Sequence, residues 1–234
     1  MAEAPPTLPR EPAGAPSPRT LVLLRHGRTS WNASGRVQGQ IDSELDETGL
    51  AQAEAVAPHI AAYRPVAVWT SDLQRAAVTA SYVAREAGLE LRTDPRLREF
   101  GLGEREGITH AEYSAAHPCE YADFVTGRWS SVPGAEGVED VRSRTTACLT
   151  ELAASIAPGE VAVGVAHGAA LRVAVEGLVA GTASEPSAYA GMDNCGWAVL
   201  RERHAPRDGE PSWRLVAYNR TAPDPRFAQS RTAG

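Results

Sequence analysis

The sequence predicts an α/β fold: a three-layer sandwich with a mostly parallel sheet, an antiparallel C-terminal edge and helices on both faces. Three observations carry this expectation. Short apolar runs alternate with segments of helical period, which is the pattern of a sheet covered by helices. The runs are continuous, as in strands buried on both faces. The last two strand-like segments follow each other with no helix between them, which reads as a hairpin at a sheet edge.

Leu21 to Leu24 forms the first strand. Leu50, Ala53, Val56, Ala57 and Ile60 recur at helical spacing after Asp46, a suitable N-cap, although Pro58 should kink or shorten that helix. Val66 to Thr70 is the second strand. Ser71-Asp-Leu-Gln74 then matches a capping box, and its helix stops at Gly88. Leu89 to Thr93 reads as a third strand. From Glu99 to Gly137 the pattern is irregular, with one short helical piece near 111–116. Val138, Val141, Thr145, Cys148, Leu149, Leu152 and Ile156 mark a long amphipathic helix, ended by Pro158-Gly159. Val161 to Ala166 is another buried strand, followed by a helix to Ala180-Gly181. Residues 196–202 and 213–218 make the hairpin, joined through Asp208-Gly209.

Domain organisation is simple. One domain is expected over 20–220, between a disordered Pro/Ala-rich tail at 1–19 and a flexible tail at 221–234. Six of the 17 prolines fall in the first tail, which cannot bury enough surface to offset its ordering entropy. A net charge of −6 with no basic stripe argues against nucleic acid. No apolar run reaches the length of a membrane span. Three widely spaced cysteines (Cys119, Cys148, Cys195) suggest reduced thiols and a cytoplasmic location. A homodimer stays open. All 23 basic residues are arginine, so chemistry that depends on a lysine is closed: Walker-type phosphate loops, Schiff bases and protein kinases.

Ligands of such sheets bind beyond the carboxyl ends of the strands. The first strand ends in Arg25-His26-Gly27-Arg28, which sets two cations around a histidine. The second ends at Thr70-Ser71, with Arg75 in the first turn of the next helix. The strand at 161–166 ends in His167-Gly168, and Glu99 opens a glycine-rich turn between them. Guanidinium forks match phosphoryl oxygens, and the helix N-termini after Ser71 and Gly168 add positive partial charge. A neutral imidazole can attack phosphorus, and neighbouring cations favour the neutral form. A carboxyl group beside it can protonate a leaving alkoxide and later activate water. Glu104 and Glu106 share the turn with Glu99. His59, His110, His117 and His204 have no partner at metal-ligand spacing and read as surface residues. Trp129, Trp197 and Trp213 read as core or rim packing.

"LRHGRTSWN", "SDLQRAAVTA", "LREFGLGEREG" and "VAHG", in this order, resemble the histidine phosphatase superfamily, also called the phosphoglycerate mutase-like family. The match covers Leu21 to about Tyr218. It implies that His26 becomes phosphohistidine, that Arg25, Arg75 and His167 hold phosphoryl oxygens, and that Glu99 is the acid/base. Asn32, Gln38 and Gly39 fall where the family contacts substrate or phosphate. It implies no metal and no organic cofactor, and a small phosphomonoester as the partner. "RVQGQIDSELDETG", "GLGEREGITHAEY" and "GMDNCGWAVL" are similar to actinobacterial-type members. Two departures from the mutases favour hydrolysis: the segment from Phe100 to Ala166 is short, and Ala169 follows the second His-Gly where mutases tend to have Asn. The expected activity is a phosphomonoesterase acting on a sugar phosphate or phosphoglycerate-type metabolite. The alternatives are a cofactor-dependent phosphoglycerate mutase and, in another class, a non-catalytic phospho-ligand-binding protein.

Overall fold

The computed structural model describes residues 17–126, 128, 132–182, 187, 189–203 and 212–223. Most of both expected tails, His204, Trp129 and the Asp208-Gly209 turn lie outside them. The elements run β1 (Thr20–Arg25), α1 (Ser30–Ser34), α2 (Glu47–Ala61), β2 (Ala67–Thr70), α3 (Gln74–Ala87), β3 (Leu91–Thr93), α4 (His110–Ala116), α5 (Pro118–Val125), α6 (Val138–Ala154), β4 (Val161–Ala166), α7 (Gly168–Ala180), β5 (Trp197–Glu202) and β6 (Trp213–Arg220). The sheet order is β3-β2-β4-β1-β5-β6. β1, β2, β3 and β4 are parallel neighbours, and β5 joins β1 antiparallel and pairs antiparallel with β6.

Alternation along β1 sets the two faces. Leu21 and Leu23 pack with Leu149, Leu152 and Leu171 of α6 and α7. Val22 and Leu24 pack with Val56, Ile60, Ala76 and Val83 of α2 and α3. All four β1 residues are fully buried, each such side chain contributing roughly 1.5–3 kcal/mol. Trp197 and Trp213 are buried in these two layers, as core residues. Among the described residues no helix is long and apolar enough to cross a membrane.

Several local expectations need correction. Pro58 does not shorten α2, which continues to Ala61; the carbonyl it leaves without a donor belongs to exposed Glu54, where water can serve. Leu50 is off the buried face, 39% exposed, and Gly49 faces inward instead. The capping box at Ser71 does not form. Leu73 is the N-cap of α3 without a side-chain bond, and the Gln74 amide donates to Asp42 (2.7 Å). The irregular segment holds two helices where the sequence shows one, because α5 begins at Pro118 immediately after α4. The short α1 also went unpredicted, although Thr29 and Asn32 build a capping box there.

After β1 the chain passes tightly under α2. A Cβ on Gly27 would stand 2.5 Å from the Gly49 carbonyl oxygen, which is backbone and cannot yield cheaply. Gly27→Ala should therefore lose about 1–3 kcal/mol of stability by overpacking. Denaturant unfolding of both proteins would measure it.

Candidate active site

Register explains why two histidines meet. Arg25 of β1 lies opposite Ala166 of β4, and the His26 amide donates to the Ala166 carbonyl (3.0 Å). The next residue on each strand is a histidine, and the His26 and His167 ring centroids are 5.2 Å apart. Thr70 of β2 lies opposite Val165, which brings Ser71 beside them.

His26 is 2% exposed. Its Nδ1 lies 2.7 Å from the Gly27 carbonyl, which only accepts, so the proton is on Nδ1 and the lone pair is on Nε2. Burial first, then Arg25 and Arg75, hold its pKa well below the ordinary value. The ring is a neutral imidazole.

Arg75 is 1% exposed. Its Nε donates to His167 Nδ1 (3.2 Å), and its terminal nitrogens donate to the carbonyls of Ile41 (2.8 Å) and Gly39 (2.7 Å). Three of five N–H donors are used, so two remain for a ligand. Burial lowers its pKa to about 10, against the pull of Glu99 and Asp42, and it stays charged at neutral pH. Because Arg75 only donates, the proton of His167 is on Nε2, which donates to Ser71 Oγ (2.9 Å). Both His167 nitrogens are thus engaged within the protein. In this arrangement His167 orients Arg75. Arg75→Lys should cost about 1.5–3 kcal/mol of transition-state binding, since one ammonium cannot hold His167, two carbonyls and a ligand together. A near-normal kcat/KM would remove Arg75 from the site.

Arg25 donates to the Met192 carbonyl, and its buried Nε has no protein partner. Its guanidinium lies against Gly168, where a Cβ would come 3.1 Å from Nε. Arg28, by contrast, is not in the site. It bonds Asp46 and Thr48 at the start of α2 (2.8 Å each), so only one of the two expected cations serves His26.

Glu99 Oε1 accepts from the Phe100 and Ala170 amides (3.0 and 2.8 Å), and Oε2 accepts from Ala169 (3.1 Å). The Ala169 and Ala170 amides in the first turn of α7 therefore hold this carboxylate, as Asp42 holds the Gln74 amide at α3. Glu106 is occupied by the amides of Gln40 and Leu102 (2.9 Å each), and Glu104 is exposed.

A cavity of about 230 Å³ is lined by Arg25, His26, Asn32, Gln38, Gly39, Arg75 and Glu99, seven of the eight expected residues. The eighth, His167, packs against His26, with ring centroids 5.2 Å apart. Gln38 accepts from Thr29 Oγ1 (3.0 Å) and from Ser43, and Asn32 Oδ1 accepts from the Thr29 amide (3.1 Å). Arg36, Leu102, His110 and Phe124 also line the cavity, and the sequence did not point to them. His110 is thus no surface residue, unlike exposed His117. Asn194, which donates to the His26 carbonyl (3.1 Å), was also missed, although Gly196 just after "MDNC" marks a tight approach, where a Cβ would come 2.5 Å from Asn219 Oδ1. A larger cavity of about 610 Å³, beside α2 and Cys195, is lined in part by Asn194 but by none of the eight expected residues.

The histidine phosphatase superfamily (branch 1) model matches residues 21–219. The chain belongs to that family. The superfamily member is 36% identical over 213 residues to glucosyl-3-phosphoglycerate phosphatase of Mycobacterium tuberculosis, covering 87% of this chain and 96% of that one. Metal-independent phosphoserine phosphatase of Arabidopsis thaliana is 38% identical over 156 residues, 65% of each chain. A probable phosphoglycerate mutase of Photorhabdus laumondii is 33% identical, over 80% of this chain and 86% of its own. The solved structure of the mycobacterial glucosyl-3-phosphoglycerate phosphatase with VO3 superposes with a TM-score of 0.77 at 36% identity, covering 87% of this chain and 100% of that one.

Proposed function

We propose that this superfamily member hydrolyses small phosphomonoesters through a phosphohistidine at His26. The observation that carries this reading is the Nδ1 bond of His26 to Gly27, which leaves Nε2 unprotonated in a cavity lined by arginines and one carboxyl group. Nε2 attacks phosphorus, the ester P–O bond breaks, and the alkoxide takes a proton from Glu99. A substrate entering as its monoanion brings that proton. Arg25 and the two remaining Arg75 donors meet the phosphoryl charge. Glu99, now a carboxylate, takes a proton from water, whose oxygen attacks phosphorus and breaks the N–P bond. Two phosphatases among the relatives support hydrolysis; the short segment from Phe100 to Ala166 supports it over mutase chemistry. Residues 20–220 form the catalytic domain in this reading. A cytoplasmic location is supported by the three free cysteines.

Among the described residues no group of three or more His, Cys, Asp or Glu could hold a metal ion, so the reaction should proceed without one. The test supplies 3-phosphoglycerate with catalytic 2,3-bisphosphoglycerate, and separately a panel of phosphomonoesters, with and without EDTA. Phosphate release unchanged by chelation is the expected result. Fast 2-phosphoglycerate formation with slow phosphate release from every ester would make the protein a mutase.

A further inference from the structure

Beyond β3 the chain reaches Glu99 with little regular structure: one short turn at Pro95–Leu97, then residues 98–101 in neither helix nor strand. Carbonyls there have no ladder to enter, so other groups must meet them. Arg144 of α6 does so. Its Nη1 donates to the carbonyls of Arg96 (2.8 Å) and Arg98 (2.7 Å), and its Nη2 donates to that of Glu99 (2.9 Å). Its Nε and Nη2 also donate to the two carboxylate oxygens of Glu136 (3.0 and 2.8 Å). We propose that Arg144, braced by Glu136, is the positioning residue that holds Glu99 where it exchanges protons with the leaving group and with water; this rests on the phosphatase reading.

The first support is that the clamp leaves no donor spare. A guanidinium carries five N–H groups in a fixed fork, and these bonds of Arg144 use all of them. Arg144 does not line the cavity, so it acts on the site only through the backbone it grips. Glu136 fixes the direction of the fork by taking two prongs side by side. Burial pushes the Glu136 carboxyl up, but bonds from Arg144 and the Gly101 amide hold it below its ordinary value, so the pair is charged at neutral pH. Glu136 Oε2 also accepts from the Gly101 amide (2.7 Å) and from Gln40 Nε2 (3.2 Å). Gln40 Nε2 gives the Glu99 carbonyl a second donor (3.1 Å). Its neighbour Gly39 accepts from Arg75 (2.7 Å), so the brace sets Glu99 relative to a phosphoryl-binding arginine.

The second support is what Glu99 has to do. Its carboxyl alternates between acid and carboxylate during turnover. The Phe100, Ala169 and Ala170 amides hold it through the carboxylate oxygens, and such bonds weaken when the group takes up a proton. Arg144 grips carbonyls, which do not titrate, so its hold is the same in both states. The flanking side chains are anchored elsewhere: Arg98 to Asp72 (2.8 Å), and Phe100 in the apolar layer with Val141 and Val173. Between them the Glu99 carbonyl is met by Arg144 and Gln40. A misplacement of about 1 Å costs on the order of 10²-fold in rate, which sets the size of the expected effect.

The test compares Arg144→Ala with wild type and with Glu99→Gln on two esters. An alkoxide needs the proton of Glu99 to leave, whereas p-nitrophenolate leaves unaided. With 3-phosphoglycerate, kcat of Arg144→Ala should fall about 10²-fold while KM stays within about threefold. With p-nitrophenyl phosphate, nitrophenolate should appear as a burst close to one equivalent of enzyme before a slow steady rate, the trace expected of Glu99→Gln. Arg144→Lys, with three donors in place of five, should show the same split with a loss of about tenfold, and it carries the test if Arg144→Ala does not fold. Equal loss on both esters with no burst, while Glu99→Gln shows the split, would overturn the positioning role and leave Arg144 a residue of stability alone. A raised KM with kcat intact would overturn it too. A split missing from Glu99→Gln itself would remove both the acid/base role of Glu99 and the clamp that serves it. Wild-type enzyme that releases phosphate from no ester would count instead against the phosphatase reading.

Discussion

His26→Ala should lower phosphomonoesterase turnover by about 10⁴-fold or more, because among the described lining residues His26 has the unprotonated ring nitrogen not engaged by the protein, whereas His110 Nδ1 is met by Arg105. His167, 5.2 Å away between ring centroids, cannot substitute: one nitrogen accepts from Arg75 and the other donates to Ser71. Wild-type enzyme quenched during turnover of labelled ester should carry acid-labile, base-stable phosphate, and the variant should carry none. The pH dependence follows from the same environment. Only the neutral ring attacks, and burial with Arg25 and Arg75 holds the His26 pKa well below 6.5. The ring therefore stays neutral as the pH falls through 6.5, and the His26 limb of kcat/KM should lie on the acid side of the ordinary histidine range. Folding shows the opposite side of this depression. In the unfolded chain His26 and His167 regain ordinary values and bind protons first, so stability should fall as the pH drops below about 6.5. Unfolding midpoints at pH 7.5 and 5.5 would measure that loss.

The strands and their charged ends were legible in the sequence because both signals are local. Four apolar residues followed by Arg-His-Gly specify a buried strand and its exit without reference to anything distant. What stayed hidden depends on which groups meet. Arg28 is as basic as Arg25, yet Asp46 and Thr48, 18 and 20 residues downstream, turn it away from the cavity. Ser71 reads as a cap until His167, 96 residues on, takes its hydroxyl. His110 reads as a surface residue because its partner Arg105 is hydrophilic by type and is buried only through Tyr113 and Phe124. Helix N-termini were expected to add positive partial charge at this edge, and the sequence did not show that at α7 the Ala169 and Ala170 amides bind the protein's own Glu99. Local pattern finds elements and chemistry-bearing positions; pairings across the fold decide which of them face the ligand.

Glu99→Gln should slow hydrolysis of an alkyl ester such as 3-phosphoglycerate by about 10²–10⁴-fold, the range of a lost general acid/base. The two half-reactions should respond differently, and the leaving group separates them. An alkoxide cannot depart without a proton, so with 3-phosphoglycerate the first step itself should fail. A p-nitrophenolate departs unaided, so with p-nitrophenyl phosphate the first step should survive. The second step then stalls, because the water that must attack phosphohistidine has lost the carboxylate that takes its proton. The expected trace is a burst of nitrophenolate close to one equivalent of enzyme, followed by a slow steady rate. Glutamine also sets an NH2 group against amides that only donate: Oε1 now accepts from Ala170 at 2.8 Å and Oε2 from Ala169 at 3.1 Å. The start of α7 could shift in response, and thermal unfolding of the variant would reveal it as a lowered midpoint. A burst with the alkyl ester absent from it assigns the proton to Glu99 in both steps. An equal loss on both esters with no burst would make Glu99 an anchor for α7, leaving the proton carrier to be sought elsewhere.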